Sequence, residues 1–316
     1  MTSDALERAR SVAQALVDRE RRAADRLALD PTPRWCLALL GFRYQGTQIS
    51  WRGGVAALRR VEEPPGELAL PRSLRRSSLF GLIGALTSGV EWELCVQRGV
   101  TEEEDNDHLH VAHLIISGIR IVSLSDFVVS VLADHSWSMI GGIHDNSVRA
   151  AVVEQPVEGP RPPERMVTET HLAWVESHLA DIGTLMDDER FSLAVDLSNI
   201  HRHQSRVRIG ATALWTGIEA LFPVTTELRF RLSLYVSALL HPQPGKDRHE
   251  AFRRIRALYD TRSKIVHGAA TDEAHLISHV EEVRDILGAV LRRIVERKAL
   301  PTQDELDALL LGSPTG

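Results

Sequence analysis

The chain has 316 residues, 43% of them hydrophobic and 25% charged, with a formal net charge of −6. That gives room for two ordinary domains or one large one with a real core, and excludes a disordered or fibrous class. Two cysteines, Cys36 and Cys95, make neither a disulfide framework nor a four-ligand zinc site, so a reducing compartment is the simpler expectation.

The first 22 residues are charged throughout and lack the apolar run of a secretory signal. The same stretch has the periodicity of an amphipathic helix of about 25 residues. Mixed sequence follows, in which HVAHLIISGIRIVSLSDFVVSVLA and SVRAAVVEQ are rich in β-branched residues, so residues 1–155 read as an α+β domain. Arg120, Asp126 and Asp134 interrupt this most apolar region within any bilayer-length window. No membrane association is expected, and a cytoplasmic location is. The segment EQPVEGPRPPE, 154–164, holds four prolines and a glycine and reads as a linker.

Beyond it the pattern is helical. ETHLAWVESHLADIGTLM and RFSLAVDLSNIHRHQ read as two helices, and RIGATALWTGIEALF as a third that stops at Pro223. Thr225 or Thr226 offers a cap for the fourth, ELRFRLSLYVSALL. The fifth runs through HEAFRRIRALYDTRSKIVHG, with Gly268 placed to end it. Thr271 or Asp272 opens the sixth, whose stripe is Leu276, Val280, Val283, Leu287, Val290, Leu291 and Ile294. The expected fold is an α+β N-terminal domain followed by an all-α helical bundle over 165–300.

Charge is uneven along the chain. Residues 201–300 hold 17 Lys and Arg against 11 Asp and Glu, an excess of 6, which suits a polyanionic ligand or an ordinary solvated Arg-rich surface. Within that region Arg262 lies among Leu258, Tyr259, Ile265 and Val266. A guanidinium half-removed from water needs an anion, because arginine cannot shed its proton. Two candidates exist: Glu219, inside the apolar pattern beside Trp215 and Phe222, or an external phosphate. His267 follows five positions later, so on a regular helix its side chain diverges from that of Arg262 by about 140°.

The run GIEALFPVTTELRFRLSLYVSALL followed by LYDTRSKIVHG resembles the Apea-like branch of the HEPN families. There a Glu-Ala-Leu-Phe segment, an Arg-Phe-Arg-Leu-Ser helix and a Tyr-x-x-Arg-Ser-x-x-x-His-Gly segment recur in this order. The resemblance spans roughly 165–298, with its specific motifs within 217–268. It implies an all-helical domain that dimerises and brings two Arg/His segments into one cleft, and, in many members, metal-independent endoribonuclease activity in antiviral defence or toxin-like systems. Carried over, Arg262 and His267 are the catalytic pair, Ser263 the polar position after the arginine, and no cofactor is called for. Arg262 would hold phosphate oxygens while His267 accepts or donates a proton. Ser263, Lys264 and Tyr259 are candidate RNA contacts, with Arg253, Arg254 and Arg256 on the same helix. The alternative expectation is a non-catalytic dimeric binding or sensor module in which Glu219 is the structural partner of Arg262.

Other clusters carry less. EEEDNDHLHVAH, 102–113, reads as a surface loop or strand in which His108 and His110 share a face while His113 does not, so no metal site is expected. His201 to His203 are expected to cap a helix end or face solvent, and GLIGALTSG lacks the lysine of a phosphate-cradling loop.

Overall fold

The computed structural model describes residues 3–66, 68–76, 79–156, 165–224, 226–266 and 272–311. It has two compact units, one formed by residues 1–113 and 127–156, the other by 114–126 and 157–316.

The first unit opens with helix α1 (Ser3–Leu29) and is built on a six-stranded antiparallel sheet in the order β2-β3-β4-β1-β5-β6. The strands are β1 (Arg34–Leu40), β2 (Ile49–Trp51), β3 (Ala56–Arg60), β4 (Trp92–Gln97), β5 (Val128–Ala133) and β6 (Ala150–Val152). The central strands β1, β4 and β5 are almost wholly buried, which is why their sequences are near-continuous apolar runs instead of alternating ones. Helices α2 (Leu70–Ser73) and α3 (Phe80–Thr87) contribute Leu70, Ile83 and Leu86 to a core with Ala38, Val131, Ala133 and Trp137.

Two expectations for this region need correction. The stretch 102–123 is neither loop nor strand but helix α4 (Glu102–Ser123), opened by four acidic residues that suit a helix N-terminus. Val111, Ile115, Ile116, Ile119 and Ile121 are buried on a helix, and the strand begins only after Leu124, which has φ +53°, turns the chain. On a helix, His108 and His110 diverge, which removes the shared face that a strand would give. The second correction concerns the cysteines: Cys36 and Cys95 stand directly opposite each other on β1 and β4 and are joined as a cross-strand disulfide.

The second unit is helical: α5 (Glu169–Met186), α6 (Glu189–Ile200), α7 (Val207–Ala220), α8 (Leu228–Leu240), α9 (Lys246–Val266), α10 (Glu273–Arg297) and α11 (Gln303–Leu311), the last beyond the six anticipated. Helix α7 lies between α6 and α10, and α8 packs along α9. The expected α10 stripe is buried throughout, and Asp272 caps that helix through the His275 amide. Helix α8 departs from expectation: its N-cap is Glu227 in the left-handed region, with no side-chain cap bond, so Thr226 does not serve, and Thr225 lies outside the described residues. His201 and Arg202 do not face solvent but are 7% and 8% exposed. Arg202 donates to the Ser125 carbonyl, and buried Arg284 pairs with Asp126.

Candidate functional site

Helix α7 carries Leu214, Trp215 and Ile218 on its buried face because they recur at three- and four-residue spacing, and the same spacing places Glu219 one turn after Trp215. Helix α9 buries Ile255, Leu258, Tyr259 and Ile265, which sets Arg262 one turn beyond Leu258 and Tyr259. The two helices meet so that Arg262 Nη2 lies 3.1 Å from Glu219 Oε1 and donates to Oε2 at 3.3 Å. Tyr259 donates its hydroxyl to the same carboxylate at 3.0 Å, and the Arg262 guanidinium lies 5.3 Å from the centre of the Tyr259 ring. The question raised by a cation among apolar neighbours is therefore answered from within the fold: its anion is Glu219.

The pair is neither fully sealed nor open, with side-chain exposures of 24% for Arg262 and 20% for Glu219. Burial, and then the neighbouring Glu219 charge, raise the Tyr259 hydroxyl above its ordinary pKa, keeping it a donor. Behind Tyr259 the network continues. Trp215 packs edge-on against its ring at 5.2 Å and donates Nε1 to His279 Nε2 on α10 at 3.0 Å. Burial lowers His279 to about 4, so the imidazole is neutral and can accept that bond. Neither Trp215 nor His279 entered the site on sequence grounds; Trp215 had the helical spacing to be found, whereas His279 sits on a distant segment with no local signal.

Of the residues expected to act together, the structure gathers Glu219, Tyr259 and Arg262. Ser263 is partly buried, Lys264 is exposed, and His267 and Gly268 lie outside the described residues. Arg253, Arg256 and Lys264 are exposed, whereas Arg254 is engaged by Glu282 at 3.0 Å. On an ideal helix Arg253, Arg256 and Lys264 fall within an arc of about 80°, and Arg262 falls about 180° from Arg253. The stripe is thus centred away from Arg262, although Arg256 lies only about 60° from Tyr259 and borders the Glu219 cluster. Much of the remaining positive charge is met locally, by Arg229 with Asp260 and Arg297 with Glu305.

A different convergence of chemical groups occurs in the first unit. Glu93, Cys36 and Cys95 bring a carboxylate oxygen and two sulfurs within 4.8 Å of one another, all buried. Glu93 accepts from Ser136 Oγ at 2.6 Å and from the Trp137 amide at 2.8 Å. Burial nevertheless raises its carboxyl to about 7. Joined as a disulfide, the sulfurs have no thiolate to offer a metal, so this grouping is not a metal centre in the oxidised form.

Comparisons of the chain with models of protein families, with curated proteins and with solved structures find no match.

Proposed function

We propose that the C-terminal helical region is an HEPN-like module that pairs with a second copy of itself and binds RNA without cutting it, as a dimeric binding or sensor module in the cytoplasm. The observation that carries this reading is the internally paired cluster of Glu219, Tyr259 and Arg262. A guanidinium already neutralised by a carboxylate, itself held by a second donor, fixes α7 to α9 and has little charge left for a phosphate. The RNA contacts come instead from Arg253, Arg256 and Lys264, whose exposed stripe suits successive backbone phosphates. The test is fluorescence anisotropy with a labelled single-stranded RNA at low salt. Replacing all three by glutamine is expected to weaken binding at least tenfold, and undiminished binding by that variant would remove the assignment.

A second reading, metal-independent endoribonuclease, is favoured by one observation: about a quarter of the Arg262 side chain is open to solvent, five residues before His267. In that reading Glu219 orients the guanidinium for phosphate and His267 supplies proton transfer across the dimer. It requires RNA cleavage that survives a chelator.

A further inference from the structure

The N-terminal unit carries a cavity of about 490 Å³ lined by Leu74, Ile83 and Val148 together with Arg75, Arg76 and Arg149. Its apolar floor is buried and its three arginines are exposed. The backbone holds these groups in register. Leu74 and Val148 form a parallel bridge, the Arg75 amide donates to the Val148 carbonyl at 2.8 Å, and the Val148 amide donates to Ser73 at 3.0 Å. Arg75 and Arg149, each following a bridged residue, are thereby kept side by side.

Like charges on paired segments repel. Among the described residues no Asp or Glu lines the cavity, and none of the three guanidiniums has an acidic partner. Elsewhere in the same unit arginines are engaged: Arg22 and Arg26 by Glu63, Arg34 and Arg59 by Asp30. The cavity is thus a place where the fold concentrates positive charge over an apolar surface, with no acidic partner among the described residues. Guanidiniums grip phosphate oxygens in bidentate fashion, and a volume of this size holds a ligand of nucleotide dimensions.

We propose that this cavity binds a small organic phosphate of nucleotide size, its phosphates held by Arg75, Arg76 and Arg149 and its less polar body laid over Leu74, Ile83 and Val148. The proposal is independent of the RNA reading of the helical unit. It is tested by calorimetric titration of the full chain at low ionic strength with metal-free ATP, with inorganic tripolyphosphate and with adenosine. ATP is expected to bind, tripolyphosphate to bind at least tenfold more weakly, and adenosine not to register. The Arg75→Gln/Arg149→Gln variant, altered only at exposed side chains, is expected to melt as the parent does without ligand and to lose at least tenfold in ATP affinity. Absence of ATP binding, or ATP binding that the variant retains, overturns the site. Tripolyphosphate binding as tight as ATP overturns the role given to the floor.

Discussion

Glu219 serves two donors at once, so removing it should cost more than removing either donor. Glu219→Ala leaves a partly buried guanidinium and a hydroxyl without their acceptor, and a loss of about 2 kcal/mol is expected in urea denaturation. Tyr259→Phe removes one bond and leaves the ion pair, so about 1 kcal/mol is expected. Equal losses in the two variants would show that the carboxylate is not the hub. His279 gives a pH signature at the same scale. Its pKa in the fold is about 4 against an ordinary 6.5, so the unfolded chain takes up the proton first as pH falls. Stability is therefore full above about 6.5 and declines between 6.5 and about 4. His201, lowered by burial to about 3, adds a decline of the same sign. His279→Gln can still accept from Trp215 and should flatten part of that slope; an unchanged slope would place the titration elsewhere. The partner of Arg262 was half legible in the sequence, because helical spacing put Glu219 beside Trp215 on an apolar face. The choice between that acid and an external phosphate was not, since it depends on how two helices dock.

At the scale of elements, the helices of the C-terminal region were legible from periodicity and punctuation: Pro223 lies beyond α7, Asp272 caps α10, and the α10 stripe is buried. Helix α4 was not, because a buried helix and a buried strand both read as apolar β-branched runs. The central sheet carries its own test. Glu93 on β4 holds its proton to about 7, whereas an unfolded chain releases it near 4.5. The native state thus binds more protons in this window, and its stability falls as pH rises from 4.5 to 7. Glu93→Gln should raise the denaturation midpoint at pH 8 and change it little at pH 4.5. A variant less stable at pH 8 than the parent would show that the carboxylate is stabilised there by its two donors more than burial penalises it.

For the whole molecule, the sequence announced an α+β region followed by a helical one. The cross-strand cysteine pairing was invisible because 59 residues separate the partners and only the β1–β4 register makes them neighbours. Among the described residues no helix is long and apolar enough to cross a membrane. The cytoplasmic placement belongs to the proposal and has a direct check: reducing surroundings would keep Cys36 and Cys95 as thiols. Protein denatured directly into alkylating reagent at lysis, which is needed because both cysteines are buried, should carry no label if the disulfide of the structure is present in the cell, and two labels if the compartment keeps the pair reduced. The basic stripe of α9 is centred away from Arg262, so the proposed RNA contacts do not depend on Arg262 and cleavage is the decisive question. The most direct measurement is incubation of the pure protein with a mixed RNA pool in chelator, beside His267→Ala, with the RNA ends mapped. No cyclic-phosphate ends that distinguish the two proteins are expected; such ends formed by the parent and lost in the variant would show that the helical module cuts RNA.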